Sequence, residues 1–126
     1  MAGKFELNRS TDNQFYFNFK AANGQTILKS EPYLGRLGAK SGIALVKSNV
    51  ANDSNYERRI SHRNEPHFVL RMANGQIIGT SEKCSSILAM EKKIAALKTN
   101  APDAEVEDLT VQKSDRRRMS TLYNHR

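Results

Sequence analysis

An internal duplication constrains this chain more than any other feature. Ala22-Asn23-Gly24-Gln25-Thr26-Ile27 returns 51 positions later as Ala73-Asn74-Gly75-Gln76-Ile77-Ile78, and Ser30-Glu31 returns as Ser81-Glu82. Ile43-Ala44 matches Ile94-Ala95, Lys47 matches Lys98, and Asn49 matches Asn100. From Phe5/Tyr56 to Val50/Ala101 the register holds without a gap, and about a third of the pairs are identical. A repeat of this length is one supersecondary unit that cannot bury its apolar face alone, so two copies must share a core.

Both copies carry the same succession of patterns. A short strand (Phe5 to Leu7, or Tyr56 to Ile60) leads into a polar turn. An alternating strand follows, with Phe15, Phe17 and Phe19 on one side and Tyr16, Asn18 and Lys20 on the other. In copy two Pro66, Phe68, Leu70 and Met72 oppose His67, Val69 and Arg71. Asn-Gly then predicts a type I′ hairpin turn, and a third strand runs from Gln25 to Lys29 or Gln76 to Thr80. The period next becomes helical. Ala39, Ile43, Val46 and Val50 form one stripe, and Ile87, Met90, Ile94 and Leu97 form the other. Ser85 or Ser86 supplies an N-cap, and Asn100 before Pro102 supplies a stop. Glu105 to Leu109 predicts a last strand. The expected fold is α+β: two tandem β-β-β-α-β repeats in a single antiparallel sheet, with both helices on the phenylalanine face. Residues 1–110 form one domain, with repeats at about 3–53 and 54–110.

Composition narrows the class. Hydrophobic residues make up 38% of the 126 residues, enough for one small core. No apolar run is long enough to span a membrane, and no apolar stretch follows the N-terminus as in a secretory signal. A single cysteine, Cys84, excludes an internal disulfide and points to the cytoplasm.

The strings Gly3 to Leu7, Gln14 to Gln25, Ser30-Glu31 and Lys98 to Thr110 resemble the YegP-like family of small bacterial tandem-repeat proteins. The likeness covers roughly residues 3 to 110. It implies β-β-β-α-β repeats in one antiparallel sheet that exchange their C-terminal strands, and it implies no established biochemical activity. The chain departs from the family where Ser-Glu-x is usually followed by Tyr-Ser-Ser. Copy one has Tyr33-Leu34-Gly35, copy two has Cys84-Ser85-Ser86, and the tail beyond Thr110 has no match.

No catalytic pattern emerges. Gly35 to Gly42 lacks the spacing of a phosphate loop and does not follow a βαβ strand. His62, His67 and His125 are scattered, so neither metal nor cofactor is expected. Glu31 and Glu82 read as structural residues near helix starts.

Charge is the remaining signal. Lys113, Arg116, Arg117, Arg118 and Arg126 against Asp115 give the segment 111–126 a net +4 of the chain's +7. That composition predicts a flexible basic tail able to pair with phosphates. If helices cover one face of the sheet, the other presents Tyr16, Lys20, His67 and Arg71, as sheets that bind RNA do. The expected function is a non-enzymatic module engaging nucleic acid or a ribonucleoprotein through tail and open face. The alternative is a protein-interaction or stress-related accessory module that docks on an acidic protein surface. A monomer is expected, with a strand-swapped dimer as the other possibility.

Overall fold

The computed structural model describes residues 3–110. Seven strands and two α-helices follow in the order the repeat demands. They are β1 (Lys4–Arg9), β2 (Phe15–Lys20), β3 (Thr26–Ser30), α1 (Arg36–Asn49), β4 (Tyr56–Ile60), β5 (Pro66–Arg71), β6 (Ile77–Thr80), α2 (Ile87–Asn100) and β7 (Glu105–Asp108). One sheet holds every strand in the order β4-β5-β6-β3-β2-β1-β7. The two hairpin triplets meet at β3 and β6, which pair antiparallel through Lys29↔Thr80 and Ser30↔Gly79. Reversed order about an antiparallel central pair relates the copies by an approximate two-fold.

β7, the last strand of copy two, crosses to the far edge and pairs with β1 of copy one. This is the strand exchange that the family resemblance implies. The pairing is parallel, whereas every other pair is antiparallel. The sheet is therefore mixed at one edge. Direction follows from connection length: a strand reached through a whole helix can lie parallel, whereas a tight hairpin cannot.

The hairpin turns also differ from the type I′ expected. A type I′ turn needs positive φ at both central residues. Here Gly24 and Gly75 have φ of 85° and 90°, and neither Asn23 nor Asn74 is left-handed. The Gly24 amide donates to the Ala21 carbonyl and the Ala21 amide to the Gln25 carbonyl, both at 2.9 Å, which closes a three-residue loop. Asn23 Oδ1 accepts the Gln25 amide, and Asn74 Oδ1 accepts that of Gln76. The loop forces a bulge. Phe19 faces Leu28 while Lys20 faces Thr26, so Ile27 is the extra residue, and Ile78 repeats the device. Both isoleucines are buried.

The core lies between one sheet face and both helices. Phe5, Leu7, Phe17, Phe19, Leu28, Phe68 and Leu70 meet Ala39, Ile43 and Val46 from α1 and Met90, Ile94 and Leu97 from α2. Phe5 sits edge-on to Phe17, with ring centroids 6.0 Å apart. Ser86 is the cap of α2, its hydroxyl accepting the Ala89 amide at 3.0 Å. One member of the expected α2 stripe is corrected: Ile87 is 56% exposed. It is the first helical residue, and its Cβ tilts toward the N-terminus, away from the core.

The glycines of α1 make room for a ring. Tyr33 stacks on Phe17 at 6.2 Å, and a Cβ on Gly42 would overlap the Tyr33 hydroxyl and approach Phe17 to 2.9 Å. A Cβ on Gly38 would meet Tyr33 at an ordinary 3.4 Å, and copy two carries Ala89 there. The two glycines should respond oppositely to alanine. Gly38→Ala is expected to stabilise by about 0.5–1 kcal/mol through helix propensity. Gly42→Ala is expected to destabilise by about 1–3 kcal/mol through overpacking. Urea denaturation of both variants checks the signs.

Candidate functional site

The sheet face away from the helices is not covered by any other element among the described residues. The repeat explains its layout. Tyr16 and His67 occupy equivalent positions in β2 and β5, as do Asn18 and Val69, and Lys20 and Arg71. All four sequence-singled residues within the described range therefore share this face. They form two groups, because β3 and β6 stand between β2 and β5. At the usual strand spacing the groups are about 14 Å apart. Lys113, Arg116, Arg117 and Arg118 lie outside the described residues.

The registers place one row straight across the sheet: Glu57, Val69, Thr80, Lys29, Asn18, Glu6 and Glu107. Acids occupy the ends, and the middle is polar or apolar with Lys29 at the centre. Val69 is only 2% exposed although it lies outside the helix-covered core, so neighbouring side chains on this face cover it. Lys29 is the central feature that sequence reading passed over. Its alternation signal was blurred by the bulge at Ile27.

The flanking cations are tied to carboxylates. Lys20 pairs with Glu6 at 3.1 Å, and Lys4 pairs with Glu107 at 2.6 Å. Glu57 bridges Arg59 at 2.8 Å and Arg71 at 2.6 Å. Hydrogen bonds from Arg59 and then Arg71 hold the Glu57 carboxyl down at about 2. Among the described residues Lys29 has no carboxylate partner, and its Nζ lies 5.1 Å above the Tyr16 ring. Two polar atoms on the face, Asn18 Oδ1 and His67 Nδ1, are buried without a hydrogen-bond partner. Buried polar atoms normally have partners, so these two mark where packing on this face leaves a polar group unpaired.

A separate ion cluster ties β4 to α2 on the helix side. Arg58 reaches Asp53 at 3.0 Å and Glu91 at 2.5 Å, and Lys98 reaches Asp53 at 2.8 Å. Arg58 first, then Lys98, hold the Asp53 carboxyl at about 2. These charges are exposed, so they contribute little to stability. Burial pushes the Tyr56 hydroxyl well above the ordinary phenol range, and it donates to the Val50 carbonyl at 2.7 Å. The perturbed acids and bases thus belong to surface ion pairs and packing. Among the described residues no group of three or more His, Cys, Asp or Glu is placed to hold a metal. Also among them, no helix is long and apolar enough to cross a membrane.

Comparison with known proteins matches a family model described as Domain of unknown function (DUF1508) twice, over residues 10–57 and 61–108. The chain belongs to this family. The two matches coincide with the two copies of the repeat. Among curated relatives, the UPF0339 protein YegP of Escherichia coli (strain K12) is 44% identical over 110 residues, which is 87% of this chain and 100% of that protein. YegP of Yersinia pestis is 41% identical over 109 residues, covering 86% and 97% of the two chains. The solution NMR structure of a UPF0339 protein from Shewanella oneidensis aligns with a TM-score of 0.82 at 39% identity. It covers 86% of this chain and 92% of that one. The DUF1508 members matched here carry no functional description, so the family supplies the fold and the repeat while the surface supplies the chemistry.

Proposed function

We infer that the chain is a non-enzymatic binding module whose ligand lies across the uncovered sheet face. The supporting observation is the central row, in which Lys29 stands between the Tyr16 and His67 strands without a carboxylate among the described residues. A strip of Val69, Thr80, Lys29 and Asn18, flanked by two rings, suits an unpaired base and its phosphate. Single-stranded nucleic acid, free or within a ribonucleoprotein, is the class that fits. Lys113, Arg116, Arg117 and Arg118 would add electrostatic affinity. A monomer is part of this reading, because two repeats in one chain already complete the sheet. With one free cysteine it suits the cytoplasm.

Poly(U) and poly(dT) binding at two salt concentrations tests the reading. The full-length protein should bind poly(U) with an affinity that falls steeply as salt rises. Lys29→Ala should weaken binding about tenfold, and alanine at Lys113, Arg116, Arg117 and Arg118 should flatten the salt slope. Absence of binding to either polymer at low salt would sink it. That outcome would favour the protein-interaction alternative, including an accessory role under stress. The neutralisation of Lys20, Arg59 and Arg71 by glutamates already gives the alternative some support.

A further inference from the structure

A groove of about 540 Å³ lies on the helix side of the molecule, between the β2–β3 hairpin and α2. Its floor is Ala21, Ile27, Ala89 and Ala96, and its rim carries Lys83, Lys92 and Lys93. Among the described residues no carboxylate lines it. The three ammonium groups have no ion pair or hydrogen bond among the described residues, whereas most other cations of the domain are paired. Unpaired like charges held beside one trough repel one another and are relieved by an anionic occupant.

The duplication provides an internal control. The two-fold related positions hold Met72 for Ala21, Leu45 for Ala96, and Tyr33 for Cys84. All three larger side chains pack against the core. Pro32, Ser41 and Gly42 stand where Lys83, Lys92 and Lys93 appear. At one half of the molecule these positions are filled and neutral, and at the other they are emptied and cationic. The floor and the rim have both changed at the same place, which core packing alone does not require.

We propose that this groove binds an acidic peptide segment of a partner protein. The trough is walled by the β2–β3 hairpin end, the loop Lys83 to Ser85 and the flank of α2, and an extended segment laid in it meets both floor and rim. Alternate carboxylates meet the lysine rim, and small apolar side chains rest on the alanine and isoleucine floor. Among the described residues the lining has no arginine fork for phosphate and no aromatic ring for a base, which sets it apart from a nucleic-acid site. The chain's own residues 111–126 are excluded by charge, since they carry a net +4.

Fluorescence anisotropy of a labelled peptide of alternating Glu and Ala, titrated with the full-length protein, tests the proposal. Saturable binding is expected, and a Lys-Ala peptide should not bind. Alanine at Lys83, Lys92 and Lys93 should weaken it at least about tenfold. Ala21→Met with Ala96→Leu installs the side chains of the two-fold related positions, keeps the lysines, and should abolish binding while circular dichroism and Tm report an intact fold. Lys29→Ala, on the opposite face, should leave peptide affinity unchanged, which separates this site from the sheet face. Peptide binding that survives groove filling overturns the proposal, because the attraction is then diffuse charge. So does the absence of saturable binding, or displacement by poly(U) whose own binding is lost in the groove-filled variant.

Discussion

Replacing Ser30 and Ser81 together by alanine should cost about 2–6 kcal/mol of folding stability. The two serines are repeat-equivalent and only 7% and 6% exposed. Each hydroxyl accepts a backbone amide of the neighbouring strand, that of Phe17 for Ser30 and that of Phe68 for Ser81, both at 2.9 Å. Each also donates to the next carbonyl, Glu31 at 2.8 Å or Glu82 at 3.0 Å. The regular β2–β3 ladder ends at Asn18↔Lys29 and resumes at the Phe15↔Tyr33 bridge, and the serine side chain takes the amide left between them. Alanine would strand a buried amide in each copy, at about 1–3 kcal/mol apiece. Against a total near 5–15 kcal/mol, the double variant should be largely destabilised. Urea denaturation should show the two single variants losing similar amounts. A loss below about 0.5 kcal/mol for each would mean that water satisfies those amides. The Ser-Glu motif thereby acquires a structural meaning that rests on the serine.

Gly79→Leu should destabilise by about 3 kcal/mol or more, at the top of the range for overpacked cores. Gly79 is the copy-two counterpart of Leu28, and the two lie side by side where β3 meets β6. A Cβ on Gly79 would come within 2.9 Å of Leu28 Cγ and 3.1 Å of the Lys29 carbonyl oxygen. Leu28 is fully buried. The central seam has room for one large side chain, and copy one supplies it. The swap Leu28→Gly with Gly79→Leu should recover at least half of the loss, because one leucine again fills the seam. Guanidinium unfolding of the single and double variants measures the coupling. A single-variant loss under about 1 kcal/mol would mean that the seam yields more readily than its packing indicates.

Much of this molecule was legible in its residues. The 3.6-residue stripes of Ala39, Ile43 and Val46 and of Met90, Ile94 and Leu97 lie on the core as expected. So do Phe15, Phe17 and Phe19, and the uncovered face carries Tyr16, Lys20, His67 and Arg71. These are local periodicities, and a period of two or 3.6 assigns a side to each residue before any partner is known. Ion pairing was not legible. Nothing in the order of residues shows that Glu6 neutralises Lys20 or that Glu57 holds Arg71, because those contacts join different strands. Lys29 shared this invisibility, since its side of the sheet depends on the bulge at Ile27.

The sequence by itself determined the duplication, the type and order of the elements, and the composition of the core. Those properties are carried by nearest neighbours and by spacing along the chain. Only the tertiary structure decided that β7 lies parallel to β1, that the Asn-Gly turn is a three-residue loop, and that the copies diverge into a filled flank and a lysine-rimmed groove. Each of these depends on which distant segments come together. Loop closure and side-chain packing settle that choice through the whole fold, and no local stretch of residues encodes it alone.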